Sequence, residues 1–174
     1  ILAAGDVSLE ALPEHIVDAF RSEWSAARGA TPLGAIAIAD DGPPDQYLYP
    51  EFLLYQRMFQ RFGHRALIVD AAHLEAGDDG LAADGQRIDL VYNRATDFYL
   101  SDERHDALRR AYEGDLAVIT PHPAAHARWA DKRLLSWLRD ETLLREAGLD
   151  ADDRQFFFRK MPPTEIVTPD AADG

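Results

Sequence analysis

The chain contains no cysteine, and this absence removes several kinds of chemistry at once. Disulfide bonds, thiolate zinc sites and cysteine nucleophiles are all excluded. A chain without thiols fits a reducing compartment, so the sequence predicts a cytoplasmic protein.

Basic residues are also scarce. Eighteen Lys and Arg side chains stand against 31 Asp and Glu, which gives a formal net charge of -13 over 174 residues. Such a surface repels nucleic acid and anionic membranes, so neither is expected as a partner. A local basic pocket remains compatible with this charge, and the expected partner is a small-molecule or peptide substrate. Nothing in the sequence indicates an oligomeric state.

Two nucleotide and hydrolase signatures are missing as well. The segment Gly77-Asp-Asp-Gly80 has the wrong spacing for a phosphate loop, and no Gly-x-Ser-x-Gly motif occurs. No stretch approaches the roughly 20 apolar residues that span a bilayer. The opening Ile-Leu-Ala-Ala-Gly is not a signal peptide and reads as the interior of a longer sequence.

What is present is a regular alternation of helical and strand patterns. Apolar residues at helical spacing predict a helix over Ser8 to Arg28, with Ser8 as its cap and Gly29 as its end. The short apolar run from Gly34 to Ala39 predicts a strand covered on both faces. A second helix after Pro50 and a second strand over Ala66 to Asp70 complete a βαβ unit, which predicts a parallel sheet.

The second half of the chain continues this pattern. Asp84-Gly85 is a hairpin signal, and a strand is predicted over Ile88 to Tyr92. A helix from Ser101 to Tyr112 and a strand from Leu116 to Thr120 follow, and short helices are predicted beyond Pro121. The predicted fold is therefore α/β, an open and mostly parallel sheet with helices on both faces and a small hairpin.

Ligands of open parallel sheets bind outside the carboxyl ends of the strands. The polar residues that follow the four predicted strands are Asp40 and Asp41, then Asp70, then Asn93, Arg94 and Asp97, then Thr120, Pro121 and His122. The acidic pair Asp40-Asp41 is reminiscent of a magnesium site, but the guanidinium of Arg94 opposes a metal there. A solvated acidic turn is the favoured interpretation of that pair.

Arg94 is the most informative of these residues. A guanidinium at the end of a strand offers a rigid fork of donors to an anionic ligand, and Asp97 is expected to orient it. The alternative is an Arg-Asp surface pair of little energetic value, and the residues by themselves leave the two interpretations equal.

Two further features of the sequence each allow a functional and a structural interpretation. His122 and His126 have the spacing of a helical two-histidine zinc site, but no third ligand is evident, so ordinary loop and helix histidines are favoured. Lys132 begins a predicted helix over Asp131 to Asp140, where a cation can contact a phosphate. Its competing interpretation is a solvated lysine beside Arg133.

The order of these features resembles the domain that precedes the nucleotide-binding part of ATP-grasp ligases, a Rossmann-like preATP-grasp domain. The similarity covers about Leu33 to Asp170 and is closest to the branch containing glutathionylspermidine synthase and glutathione synthetase. The segments that carry it, in chain order, are Leu67-Ile-Val-Asp70, Gly85 to Arg94, Ile119-Thr-Pro-His-Pro123, Ala130-Asp131-Lys132-Arg133 and Met161-Pro-Pro-Thr-Glu-Ile-Val167.

The resemblance implies the substrate-side domain of a ligase that joins a carboxylate to an amine or thiol through an acyl phosphate, with ATP and Mg²⁺ used by the longer protein. It implies that Lys132 approaches the nucleotide phosphates and that Arg94, Asn93, Asp97 and His122 lie on the substrate side. No catalytic residue and no metal ligand is assigned. The expected organisation is a helix in 1–32, the α/β domain in 33–150, and in 151–174 a linker entering the ATP-grasp domain, with a strand over Glu165 to Thr168. Gly174 is then a truncation point, and the isolated chain is expected to be inert.

Two other functions remain open at this point. A non-catalytic α/β binding or interaction module would have the same fold and would bind protein partners through its acidic surface. One half of a nucleotide-sugar glycosyltransferase would also bind its ligand at the strand ends, and it would be indifferent to ATP.

Overall fold

The computed structural model describes residues 9–167. The chain divides between Pro123 and Ala124 into two compact units, which are described separately below. Among residues 9–167, no helix is both long enough and apolar enough to cross a bilayer.

A four-stranded parallel sheet forms the centre of the first unit. Its strands are β1 (Ala35–Asp40), β2 (Arg65–Asp70), β6 (Leu90–Asn93) and β7 (Val118–Thr120). They lie in the order β2-β1-β6-β7, and every neighbouring pair is parallel. The predicted parallel sheet is confirmed, and it follows from the two short apolar runs that flank a crossover helix.

Helices α1 (Leu12–Arg28) and α2 (Tyr49–Arg61) cover one face of this sheet. Ile36 and Ile38 alternate along β1 toward that face. They pack in one cluster with buried residues of the two helices, namely Val17, Trp24, Phe52 and Phe59. Helix α1 begins at Leu12 rather than Ser8, and the predicted cap Ser8 lies outside the described residues.

The other face is covered by helix α3 (Asp106–Glu113) and by a small antiparallel sheet of β3 (Leu74–Gly77), β4 (Gly80–Ala83) and β5 (Gln86–Ile88). The alanines of β1 pack here with Leu81, Ile88 and Leu108. Helices on both faces of a mostly parallel sheet are the predicted α/β class, which the structure confirms.

The predicted hairpin is present, and its turn has the expected geometry. Asp84 and Gly85 join β4 to β5 with φ angles of 48° and 70°, both in the left-handed region that the tightest hairpin turns require. Strand β3 was not predicted, and it extends the hairpin to three strands.

The strand predicted over Ile88 to Tyr92 is divided at Asp89. Ile88 ends β5 in the small sheet, and Leu90 begins β6 in the large one. The carboxylate of Asp89 accepts hydrogen bonds from the backbone N–H groups of Gly34 at 3.0 Å and Ala35 at 2.8 Å. Residues 86–93 therefore contribute one strand to the small sheet and one to the large sheet.

The helix predicted over Ser101 to Tyr112 has two parts. A short 3₁₀ helix, Glu103–His105, is capped by the Asp102 side chain, which accepts a hydrogen bond from the Arg104 N–H. Helix α3 follows directly at Asp106.

The second unit contains helices α4 (Pro123–Trp129, beginning at the boundary), α5 (Leu134–Trp137), α6 (Glu141–Glu146) and α7 (Ala151–Lys160). The linker expected from residue 151 instead begins with α7. Asp150 caps this helix by accepting a hydrogen bond from the Asp153 N–H at 2.9 Å, and the order of acidic then basic residues matches the helix dipole. Glu165 to Val167 do not form the predicted strand, and Thr168 lies outside the described residues.

Candidate functional site

The carboxyl ends of β1 and β6 meet at the point where the strand order changes direction. From β1 the chain continues to β2 on one side, whereas β6 and β7 lie on the other. Ala39 and Asn93 are in register, and the N–H of Arg94 donates to the Ala39 carbonyl at 2.8 Å. Asp40 and Arg94 therefore leave adjacent strands at the position where ligands of open α/β sheets bind.

The Arg94 guanidinium is held by aromatic rings and by few hydrogen bonds. It lies 5.7 Å from the centre of the Phe52 ring and 5.3 Å from that of Tyr92. Its Nη1 donates to the Tyr92 hydroxyl at 3.0 Å, and its Nη2 lies 3.5 Å from Glu51 Oε1. Nε is buried and has no hydrogen-bond partner within residues 9–167. The side chain as a whole is 24% exposed.

The expectation that Asp97 orients Arg94 is wrong, because Glu51 takes that place. Asp97 accepts hydrogen bonds from the Asp102 N–H at 2.8 Å, the Ser101 hydroxyl at 2.9 Å and His105 Nδ1 at 2.9 Å. Burial by itself would raise the pKa of Asp97, but these donors hold it well below its usual range. Asp97 is therefore an ionised anchor of the loop that follows β6.

His105 joins the loop after β1 to the loop after β6, at the edge of the parallel sheet where the carboxyl ends of the strands lie (the carboxyl edge). Its ring is fully buried, with Nδ1 on Asp97 and Nε2 only 2.8 Å from Asp41 Oδ1. Burial would lower the pKa of His105, but hydrogen bonds and charge from the two carboxylates outweigh it and raise this pKa. Both ring nitrogens can donate only in the imidazolium form. The buried imidazole thus bridges two carboxylates, an arrangement that favours its protonated form.

The remaining carboxylates of this edge also have donors. Asp40 accepts a hydrogen bond from the Asp41 N–H at 2.9 Å, and Asp70 accepts from the N–H groups of Gly42 at 3.2 Å and Ala72 at 3.0 Å. Burial raises the pKa of Asp40 above its ordinary value. Across residues 9–167, no group of three or more His, Asp or Glu side chains is arranged to hold a metal ion.

Asn93 has a structural role at the ends of β6 and β7. The side chain is buried, donates from Nδ2 to the Pro121 carbonyl at 3.4 Å and accepts from the Ala95 N–H at 3.2 Å. These contacts hold the loop after β6 against the loop after β7. Asn93 therefore supports Arg94 through the backbone that carries it.

His122 lies beside the edge strand β7. Its ring stacks on Tyr112 with centroids 5.5 Å apart and an angle of 19° between the planes. The two rings line an open groove of about 330 Å³, to which Glu23 and Asp115 contribute. Of the predicted substrate-side residues, Asn93, Arg94 and Asp97 therefore lie at or just after the carboxyl end of β6, whereas His122 lies in this groove.

Lys132 belongs to the second unit. It is exposed in a turn before α5, which begins only at Leu134 and has four residues. Asp131 forms an ion pair with Arg133 and accepts a hydrogen bond from the Arg133 N–H at 2.9 Å. The predicted helix over Asp131 to Asp140 is shorter than expected, so Lys132 precedes it.

His105 is the residue that sequence reasoning missed. In the sequence it is one of six histidines, and neither spacing nor a neighbouring motif distinguishes it. Its partner Asp41 is recognisable as an acidic residue after a strand, but 64 positions separate the two side chains. Glu51, the carboxylate nearest Arg94, lies on a helix and also carries no signal in the sequence.

No protein-family model matches the chain, and no curated protein matches its sequence. The resemblance to ATP-grasp ligases therefore stays a prediction from the order of short motifs.

Proposed function

We propose that the first unit binds an anionic small molecule at the carboxyl edge of its sheet, with Arg94 as the binding residue. The observation that carries this proposal is a partly exposed arginine side chain at the change of strand order, whose buried Nε has no hydrogen-bond partner within residues 9–167. We propose further that the chain is the substrate-side domain of an ATP-dependent carboxylate-amine or carboxylate-thiol ligase.

The hydrogen-bonding capacity of Arg94 supports an anionic ligand. A guanidinium carries five N–H donors, and the described residues take one short hydrogen bond, to Tyr92, and one longer contact, to Glu51. A planar carboxylate or phosphate accepts two parallel hydrogen bonds from such a fork. The flanking rings of Phe52 and Tyr92 limit the movement of the side chain before a ligand arrives.

Three acidic residues of the same edge have donors other than Arg94, whereas Asp40 and Glu51 are close enough to interact with its charge. Asp41 and Asp97 share the imidazolium of His105, and Asp70 accepts two backbone hydrogen bonds. Glu51 is the charged neighbour of Arg94, at 3.5 Å, which is longer than a charge-assisted hydrogen bond. An incoming anion therefore competes with Glu51, which is loosely held, and with the nearby carboxyl of Asp40, whose burial disfavours its charged form.

The ligase part of the proposal rests on the ordered motifs. An arginine beside the substrate carboxylate would stabilise the charge of an acyl phosphate. Lys132 is exposed, and its ammonium suits a nucleotide phosphate in charge. ATP supplies the phosphoryl group when bound, and the ligands of Mg²⁺ would lie outside the described residues. The absence of cysteine supports a cytoplasmic location.

Anion binding is tested by titrating the chain with acetate and with inorganic phosphate, followed by calorimetry and by NMR of the Arg94 Nε–Hε signal. Arg94→Met keeps the apolar stem on Phe52 and removes the charge. Arg57→Met, on the exposed side of α2, is the control for the loss of one positive charge. Binding that disappears in the first variant and persists in the second supports the site. Equal binding in both overturns it.

The ligase proposal has a separate test in the full-length protein. ATP turnover is measured against a panel of carboxylates, amines and thiols, with Lys132→Ala and Arg94→Met alongside. A protein that neither binds nor hydrolyses ATP with any of these substrates is not a ligase. Anion binding through Arg94 without ATP turnover would indicate the non-catalytic binding module instead.

A further inference from the structure

Two acidic side chains lie on the same face of the sheet as Arg94. Ile38 and Tyr92 are in register on β1 and β6, and both belong to the cluster that the sheet forms with α1 and α2. Because side chains alternate between the two faces of a strand, the residues two positions later, Asp40 and Arg94, face the same side. Glu51 joins them from the first turn of α2. Arg94 thus has one acidic neighbour on the next strand and one on the covering helix.

Glu51 is the more accessible of these two neighbours. Its side chain is 36% exposed, and its Oε1 lies 3.5 Å from Arg94 Nη2. Within residues 9–167, no second cationic side chain lies within ion-pair distance of Glu51. Burial, Tyr92 and the charge of Glu51 raise the pKa of Tyr55 to about 12, so this charge also acts on the rings beside Arg94. A carboxylate accepts several hydrogen bonds, and the one long contact to Arg94 leaves most of that capacity for a ligand.

Asp40 is the buried neighbour of Arg94. It is 8% exposed, and its carboxyl accepts a hydrogen bond from the Asp41 N–H at 2.9 Å. Burial raises the pKa of Asp40, whereas Arg94 and His105 act against that increase through their charge. A further cation at this edge of the sheet would favour the ionised form of Asp40 in the same way.

The charges around Arg94 favour a ligand that carries both signs. Glu51 and the ionised form of Asp40 place two negative charges near one guanidinium, and a simple anion would add a third. Like charges repel each other at these distances, whereas an ammonium group would be attracted by both carboxylates. The anionic group of a ligand is therefore bound best when a positive charge accompanies it.

We propose that the ligand of the Arg94 site is zwitterionic, with an ammonium group a few bonds from its carboxylate or phosphoryl group, and that Glu51 binds this ammonium. This inference rests on the proposed anion site and adds the class of ligand. The anionic group takes the donors of Arg94, and the ammonium replaces the guanidinium as the cation nearest Glu51. Asp40 strengthens the attraction of the ammonium through its charge.

The test compares ligands that differ only in an amino group. Acetate is compared with glycine, propionate with β-alanine, and methylphosphonate with aminomethylphosphonate, by calorimetry on the chain at neutral pH. We expect the amino member to bind about tenfold more tightly, because an ammonium donates charge-assisted hydrogen bonds to Glu51. An advantage in the carboxylate pairs alone supports an amino carboxylate as the ligand, and an advantage in the phosphonate pair alone supports an amino phosphoryl compound.

Glu51→Gln keeps the shape of the side chain and removes its charge. This variant should lose the amino advantage, and it should bind acetate more tightly than the wild-type chain does, because one competing negative charge is gone. Asp40→Asn should reduce the advantage. Glu14→Gln is the matched control, since Glu14 is exposed and occupies the first turn of α1 as Glu51 occupies that of α2. Circular dichroism shows whether each variant is folded.

The outcomes separate this inference from the anion site on which it rests. Equal affinity for both members of every pair, with binding that still needs Arg94, overturns the inference and leaves the anion site standing. An amino advantage that survives in Glu51→Gln, or that is lost equally in Glu14→Gln, also overturns it. Absence of binding by all of these ligands, or binding that persists in Arg94→Met, overturns the proposed site itself.

Discussion

His105 Nε2 lies 2.8 Å from Asp41 Oδ1, and this contact joins side chains that are 64 positions apart in the chain. With Asp97 on the other ring nitrogen, the imidazole ties the loop after β1 to the loop after β6. The geometry of the proposed site depends on this connection, because Asp40 and Arg94 lie where the same two loops begin. Several measurable consequences follow from it and from neighbouring contacts.

Replacement of His105 by glutamine should destabilise the first unit by about 3 kcal/mol. Removal of one member of a buried ion pair leaves uncompensated charge and costs about 3–5 kcal/mol, and the partial exposure of Asp41 and Asp97 places this case at the lower end. Urea denaturation measures the change. His73→Gln is the control, because His73 is exposed after β2. Equal stability of the two variants would show that the imidazole is not a tie between the loops.

The free energy of unfolding should decrease as the pH rises above about 6.5. The pKa of His105 is raised in the folded state. The imidazole therefore stabilises the folded state fully when the pH is below its unfolded-state pKa, near 6.5. This stabilisation is lost as the pH rises through its folded-state pKa. The pKa of Asp97 is lowered, so its contribution is complete above about 3.9 and is lost as the pH falls through the folded value.

Urea denaturation at a series of pH values measures this profile. The decrease above pH 6.5 should be absent in His105→Gln and present in His73→Gln. NMR titration of the His105 ring provides a direct reading of the same pKa. A ring that titrates below 6.5 would contradict the assignment of an imidazolium between Asp41 and Asp97.

Asp89 should contribute to stability through its two backbone hydrogen bonds at the start of β1. Asp89→Ala leaves the N–H groups of Gly34 and Ala35 without this acceptor, and we expect a loss of about 1–3 kcal/mol in the free energy of unfolding. Asp89→Asn keeps an acceptor oxygen and should lose less. Asp78→Ala, an exposed acidic residue in a turn, is the control. An Asp89→Ala variant as stable as this control would show that the hydrogen bonds from Gly34 and Ala35 to Asp89 do not stabilise the fold.

Gly34 provides a second test of the same contact. A Cβ atom at this position would lie 2.8 Å from Asp89 Oδ2, so Gly34→Ala must displace the carboxylate. We expect Gly34→Ala to destabilise the wild-type chain and to cost clearly less in the Asp89→Ala background. A double-mutant cycle by urea denaturation measures the coupling. Strict additivity of the two changes would show that the close approach does not limit the position.

Gly85→Ala should destabilise the hairpin by about 1–2 kcal/mol, because alanine resists the left-handed backbone that Gly85 adopts at a φ of 70°. Gly77→Ala is the matched control in the same small sheet. A Cβ at Gly77 meets no atom within 4 Å, and its φ is an ordinary one. Thermal denaturation of the two variants is the measurement. Equal melting temperatures would contradict the assigned turn geometry.

Much of the fold is readable from local patterns. The apolar run Ala35–Asp40 and the stripe of Phe52 and Phe59 predict buried elements, because a short chain segment carries its own periodicity. Asp84-Gly85 predicts the hairpin, since its residues suit the left-handed backbone of the turn. Arg94 was recognised as a candidate because it follows a strand of a parallel sheet.

The partners of these residues are not readable in the same way. Because Asp97 is three positions from Arg94, the local pattern predicted that the two side chains would interact. In the folded chain Arg94 lies beside Glu51, and Asp97 binds His105. The division of the predicted strand at Asp89 likewise depends on backbone donors some 55 positions away.

The amino acid sequence therefore specified the four strands of the parallel sheet, the helices that cover it, the class of fold and the edge of the sheet where a ligand would bind. The pairing of charges at that edge was decided only when the strands came together in the order β2-β1-β6-β7. The reason is physical. Backbone preference and apolar periodicity act between near neighbours in the chain, whereas hydrogen bonds and burial act between groups that folding brings within a few ångströms.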